Sequence, residues 1–209
     1  GRPKRCSSNT RRNSPAVGRF GSLLDSESSS ALVRRYIWEG VVKLVSPHEP
    51  LEFPDGSSDG LNFLRPLVGY GPESMYVAYN KFYVPSLGKV ERRNASPDRS
   101  HNETWDSMVI TGALGLFVYF VVFAMVFYYG FKWLGLIVNR KRRNLFLGLY
   151  IGGGLGGAVL FSIWRGVEYL GVGMPFGIFL GLILYVVLVA LFFSTEKPAN
   201  DGQVSRFLL

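Results

Sequence analysis

One histidine and a set of arginines are the residues of this chain best suited to chemistry. His101 lies in the polar stretch Arg99–Asp106, just before a long apolar run that begins at Met108. An imidazole can accept a proton from a hydroxyl group at neutral pH, and guanidinium groups bind phosphate through paired hydrogen bonds. Together they suit transfer of a group from a phosphate-activated donor to a hydroxyl acceptor. The arginines that could meet His101 are Arg34, Arg35, Arg65, Arg92, Arg93 and Arg99.

Other catalytic and metal-binding patterns find no support in the sequence. It contains no nucleophile elbow, no H-E-x-x-H and no Walker loop, which argues against hydrolases and nucleotide-driven pumps. Cys6 is the only cysteine, so neither an internal disulfide nor a cysteine metal site can form. Residues 55–60 are acidic but lack the spacing of a calcium loop. We expect no metal and no cofactor, and we expect His48, which lies among prolines, to be an exposed loop residue.

Two of these candidate arginines, Arg34 and Arg35, lie in a predicted helix. Residues 31–45 carry apolar side chains at helical spacing, with serines before them and a proline after them. Arg34 and Trp38 are four residues apart and share one face of this helix, with Arg35 on an adjoining part of the surface. For an arginine and tryptophan pair, anchoring at a membrane interface is the simplest interpretation of the pattern alone.

A glycine turn is predicted between this helix and His101. Gly69 and Gly71 flank an aromatic residue and precede Pro72, a pattern that allows the backbone to approach a neighbour closely. Backbone N–H groups at such a turn suit an anion. A purely structural turn is the simpler interpretation when the pattern is taken alone.

Three long intervals contain no Asp, Glu, Lys or Arg, namely 107–131, 144–164 and 169–195. An apolar run of about 18 residues or more indicates a transmembrane helix. We predict such helices over 108–131, 145–164 and 170–194, and therefore a mainly α-helical integral membrane protein. The other predicted segments are a flexible basic lead-in (1–30), an extracytoplasmic loop domain (31–107), a cytoplasmic basic loop (132–144), an outer turn (165–169) and a cytoplasmic tail (195–209).

The charge distribution predicts the orientation. The chain has 23 Lys plus Arg against 15 Asp plus Glu, a net charge of +8. Residues 1–107 are nearly balanced, so the basic excess lies in the short membrane loops and argues for orientation and not for a nucleic-acid partner. The loop at Arg140–Arg143 should stay in the cytoplasm, which puts His101 outside. Because the chain starts at Gly1 without an apolar leader, we also expect a transmembrane portion upstream of it.

The second predicted span contains the glycine-rich run Gly152–Gly157. Three of its glycines formally satisfy a dinucleotide-binding pattern, but the strand and the acidic residue that this pattern requires are missing. Close packing of membrane helices explains the run better. Arg165 and Glu168, three residues apart on the outer turn, are expected to form an ion pair.

Three segments, taken in order, resemble one known family. Arg34–Trp38 is similar to its R-x-x-x-W helix, and Leu67–Pro72 is similar to its glycine turn. Ser100–Leu116 resembles its segment in which a His-Asn pair leads into a membrane helix with a G-x-x-G-L sequence. The family is the O-antigen ligase and polymerase group of bacterial polytopic membrane glycosyltransferases. Trp105 and Asp106 depart from its usual apolar residues, and Arg65 departs from its usual small or acidic residue.

The resemblance implies a cell-envelope enzyme of the bacterial cytoplasmic membrane. Such an enzyme transfers a glycan from an undecaprenyl-diphosphate carrier to lipid A core, another glycan or a protein on the outer side. Arg34, or Arg35 in the alternative register, would bind the diphosphate, and His101 would act as the base or position it. No metal or nucleotide is implied, and the family's N-terminal transmembrane portion would be missing from this chain.

Two other classes of protein remain as alternatives. Three helices and a loop of about 100 residues can form a non-catalytic membrane anchor that binds a glycan or a protein, because fold does not determine function. A transporter component has less support, since the predicted helices contain no ionisable residue that could relay ions.

Overall fold

The computed structural model describes residues 29–52, 55–91 and 95–192. Over these residues the chain is mainly helical and contains no β-strand, apart from one isolated bridge between Glu52 and Ser58. Apart from Ser29 and Ser30, the predicted lead-in lies outside the described residues, as does the predicted tail. The helices are α1 (Ser29–Val45), α2 (Arg65–Val68), α3 (Met75–Ala78), α4 (Glu103–Trp133), α5 (Arg140–Arg165) and α6 (Leu170–Phe192).

Helix α4, helix α5 and the segment Val167–Phe192 are long and apolar enough to cross a membrane, judged by length and composition. The prediction of a mainly helical protein with three such helices is confirmed. Helix α4 begins five residues before the predicted span because the Asn102 side chain accepts hydrogen bonds from the backbone N–H groups of Thr104 and Trp105. The polar first turn of α4 therefore belongs to the same helix as the apolar run.

Two hydrophobic cores lie in different parts of the molecule. The first joins α1, the short segments that follow it and the start of α4, and Tyr79 and Val109 are fully buried in it. The second lies among the three long helices beside the basic loop, where the rings of Phe146 and Tyr185 are buried. The first core is the one that positions the candidate site.

Helices α5 and α6 pack closely through glycines. A Cβ built on Gly153 would overlap the carbonyl oxygen of Gly177, and one on Gly157 would overlap that of Gly173. Only residues without side chains allow two backbones to approach so closely. The interpretation of the glycine-rich run as a helix-packing element, and not a dinucleotide loop, is confirmed.

Candidate functional site

Arg34 and His101 line the same cavity. It has a volume of about 260 Å³, and its other walls come from Ser30, Val33 and Val90. Helix α1 supplies the arginine, and the turn before α4 supplies the histidine. The two residues that the sequence singled out for phosphate binding and proton transfer are 67 positions apart, and the fold brings them together.

The cavity contains a cation, and no carboxylate is among its described lining residues. None of its five lining residues in the described part of the chain is acidic. Arg34 is exposed, and no hydrogen bond or ion pair joins its guanidinium group to another described residue. An anion entering this cavity would therefore meet a guanidinium group that has no partner among the described residues, and such a group forms paired hydrogen bonds with phosphate oxygens.

Trp38 holds the histidine turn against α1. Its indole N–H donates a buried hydrogen bond of 2.8 Å to the backbone carbonyl of Ser100, and its ring meets Tyr169 edge to face. Trp38 is only 8% exposed, so it is a core residue and not an interfacial anchor. Because Arg34 lies one helical turn before Trp38, the same helix face carries both the clamp and the candidate phosphate ligand.

His101 projects from a tightly bonded turn. The N–H of Ser100 donates to Asp106 Oδ1 at 2.7 Å, and the N–H of Asn102 donates to Ser100 Oγ at 3.2 Å. The Asn102 side chain caps α4. Between these anchored neighbours, His101 has a φ of 56°, a left-handed conformation that is uncommon outside glycine and is concentrated at functional sites. The His101 side chain is exposed, while the backbone on both sides of it is fixed by these hydrogen bonds.

Trp105, one of the departures from the resembled family, ties the site to the outer turn. It is 5% exposed, and its indole N–H donates to the carbonyl of Glu168 at 2.9 Å. Gly171 makes room for the indole, because a Cβ there would lie 2.6 Å from its Nε1 atom. The large ring therefore packs against the start of α6.

Arg35 lies in a different environment from Arg34. Its Nε donates to Glu168 Oε1 at 3.4 Å. The prediction of an ion pair between Arg165 and Glu168 is wrong, because the Glu168 carboxylate contacts Arg35 of α1 instead. The Arg165 guanidinium group instead lies 4.5 Å above the Trp164 ring, where the attraction between a cation and an aromatic face holds it.

Arg99 also differs from Arg34. It lines a separate cavity of about 270 Å³ whose walls carry four carboxylates, so its charge is offset. Those acidic residues are Glu73, Asp98, Glu103 and Asp106. No group of His, Cys, Asp and Glu in the described ranges has the arrangement of a metal site. Arg92 and Arg93 lie outside the described residues.

The glycine turn contacts a break in α4. Gly112 leaves the helical conformation, with a φ of 65°, so the carbonyls of Val109 and Ile110 lose the partners that a continuous helix would supply. The N–H groups of Tyr70 and Gly71 replace those partners, at 2.8 and 3.0 Å. These N–H groups are therefore engaged in positioning α4, and they are not open to an anion.

Arg65 and His48 support this turn. Arg65 makes a paired ionic contact with Asp59 at 2.7 and 3.0 Å and donates to the carbonyl of Gly69. Its guanidinium group holds the pKa of Asp59 below its usual range, while burial raises the pKa of Tyr70 to about 12. His48, expected to be exposed, is half-buried, with its Nε2 2.8 Å from the Tyr70 hydroxyl. Its ring also packs 4.7 Å from a phenylalanine ring, which explains the burial.

Several residues that shape the site were not identified from the sequence. Ser100 is fully buried at the centre of the turn, and only its contact with Trp38, made through the fold, reveals its role. Asn102 was detectable, because an asparagine just before an acidic first turn is a helix-start signal. Gly112 was visible only as part of the resembled segment.

The described geometry yields one cavity in which a free arginine faces an exposed histidine. The arrangement suits an anionic ligand that carries a reacting centre within reach of a base. Comparison of the chain with protein-family models, with curated proteins and with solved structures gave no match.

Proposed function

We propose that this chain is the C-terminal part of an O-antigen-ligase-like membrane glycosyltransferase. It would move a glycan from an undecaprenyl-diphosphate carrier to a hydroxyl acceptor on the outer side of the bacterial cytoplasmic membrane. The observation that carries the proposal is the shared cavity of Arg34 and His101. The outward placement of that cavity is inferred from the basic loop at Arg140–Arg143.

Each step of the reaction has a group to perform it. The acceptor hydroxyl oxygen forms a bond to the anomeric carbon of the donor glycan, and the bond from that carbon to the diphosphate oxygen breaks. His101 takes the hydroxyl proton as the new bond forms. The departing diphosphate keeps the bonding electrons, and Arg34 offsets the charge that develops on it.

The decisive experiment measures glycan transfer in membranes that contain the full-length protein with single substitutions. His101→Asn removes the base but keeps a residue type that tolerates the left-handed backbone of this position. We expect transfer to fall by about 10²–10⁴-fold, the usual contribution of a general base. For Arg34→Ala we expect a loss of about 10²–10³-fold, as for removal of a group that stabilises developing charge.

Arg35→Ala is the matched control. It removes the same charge from the adjacent position, but Arg35 contacts Glu168 and does not line the cavity. A half-exposed ion pair contributes at most about 1 kcal/mol, so transfer should fall by less than about tenfold. Equal losses from Arg34→Ala and Arg35→Ala would exclude the assigned phosphate ligand. Full activity of both His101→Asn and Arg34→Ala would exclude the site.

A non-catalytic membrane anchor is the second candidate, and one observation favours it. Most of the residues that carry the family resemblance have structural roles here. Trp38 clamps the turn, Asn102 caps α4, and Gly69 and Gly112 permit a close crossing of two backbones. If the chain is an anchor, the histidine and arginine variants will keep their partner binding and no glycan transfer will be measurable for the unmodified protein.

A further inference from the structure

We propose that a groove between α4 and α5 binds one acyl chain of an anionic phospholipid, with its phosphate group at Arg143. The groove has a volume of about 750 Å³, within the range of about 300–1,000 Å³ usual for small-molecule sites. Its walls are apolar and aromatic side chains, and Arg143 is the one charged residue among them. The site lies away from the cavity of Arg34 and His101 and does not depend on the proposed enzymatic function.

The length of the groove fits one leaflet of a bilayer. Along α4 it extends from Phe117 to Tyr129, and along α5 from Arg143 to Leu155, a distance of twelve residue steps in each case. At 1.5 Å per residue this is about 18 Å. The hydrocarbon layer is about 30 Å thick, so one leaflet is about 15 Å. A lipid chain anchored at one surface fills this length, whereas a helix that spans the membrane would need a contact nearly twice as long.

The charged end of the groove matches a phosphate. Arg143 is exposed, and among the described residues its guanidinium group makes only long hydrogen bonds, of 3.3 and 3.4 Å, to the side chain of Asn144. The sequence contains no Asp or Glu between Asp106 and Glu168, so neither the apolar part of α4, nor α5, nor the loop between them carries a carboxylate that could neutralise this end. Basic pockets between membrane helices on the cytoplasmic side favour anionic lipid head groups.

The tyrosine residues of the groove lie at its charged end, where the head group of a bound lipid would be. Tyr128 and Tyr129 line the same end as Arg143. Tyrosine rings are favoured where the head groups meet the acyl chains, because the ring is apolar and the hydroxyl is polar. Met174 and Ile178 of α6 line the groove near its other end, beside Gly154. One end of the groove thus carries a charge and two tyrosine hydroxyls, and the other end is apolar, as in a phospholipid.

The test measures which lipid the purified full chain retains. Delipidated protein is incubated with phosphatidylcholine vesicles that contain a minority of phosphatidylglycerol, re-extracted in detergent, and its bound lipids are quantified by mass spectrometry. We expect phosphatidylglycerol to be enriched about tenfold over its share in the vesicles, which corresponds to about 1.4 kcal/mol. Arg143→Ala should abolish the enrichment. Lys141→Ala, which removes an exposed charge that does not line the groove, should keep it.

A second variant tests the groove itself. Val121→Trp fills the space with a large ring and should reduce retention of both lipids, with helix content checked by circular dichroism. The proposal fails if the two lipids are retained in vesicle proportions, or if Arg143→Ala and Lys141→Ala lose enrichment equally. It also fails if the groove mediates association of two copies, seen as a dimer that Val121→Trp dissociates while lipid retention stays unchanged.

Discussion

Adjacent glycines in α5 should respond oppositely to the same substitution. Gly152 faces open space, with no atom within 4 Å of a Cβ built there. Gly153 faces α6, where a Cβ would overlap the carbonyl oxygen of Gly177. Alanine at the two positions therefore makes the same chemical change to the same helix. Only the neighbouring helix differs.

The magnitudes follow from the two environments. Alanine is favoured over glycine within a helix by about 0.8–1 kcal/mol, and this gain applies at both positions. At position 153 the helices must also separate, because the overlapping atom belongs to the backbone and cannot rotate away. Overpacking of this kind costs about 1–3 kcal/mol. We expect Gly152→Ala to be neutral or stabilising, and we expect Gly153→Ala to be less stable than Gly152→Ala by about 1–3 kcal/mol.

Unfolding in mixed micelles with increasing dodecyl sulfate, followed by tryptophan fluorescence and circular dichroism, measures this difference. The free-energy difference between the two variants is the decisive quantity, since their helix propensities cancel. Gly156 and Gly157 repeat the design one turn later, with open space at the first and Gly173 against the second. Equal stabilities within each pair would show that α5 and α6 do not pack as described.

Three further outcomes are expected for the region that positions His101. Gly112→Ala should destabilise the protein by about 2–4 kcal/mol in the same unfolding assay, because a Cβ meets both a positive φ and a crossing backbone. Trp38→Phe should lose about 1–3 kcal/mol, since the buried carbonyl of Ser100 is left without its donor. The low pKa of Asp59 means that its pairing with Arg65 stabilises the fold above about pH 4 and is lost as the pH falls further. Thermal unfolding against pH should therefore show Asp59→Asn less stable than the unmodified protein at neutral pH, with the gap closing in acid.

The long helices could be predicted from the sequence because their signal is local. An interval without charges and with continuous apolar side chains needs no partner to be recognised, and α4, α5 and α6 each contain one. The start of α1 was also predicted, since serines precede a helical apolar pattern. Close packing by the glycine run followed from residue size alone.

The arrangement of the site could not be predicted in the same way, since it depends on contacts between distant residues. The break in α4 needs Gly112 on one segment and Gly69 on another, because each crosses the backbone of the other. Neither glycine by itself distinguishes a kink from an ordinary packing position. Similarly, Trp38 could not be assigned to the core before its partner, the carbonyl of Ser100, was known.

Arg34 and Arg35 are adjacent in sequence, but one buried residue gives them different environments. Successive residues of a helix point about 100° apart, so two adjacent arginines cannot both face the same cavity. The phase of α1 is set by Trp38, which must reach the Ser100 carbonyl inside the core. Arg34, one turn before Trp38, then faces the histidine, and Arg35 is turned towards Glu168. The sequence pattern favours a membrane anchor for Trp38, but through its place in the core this residue determines which of the two arginines lines the cavity with His101.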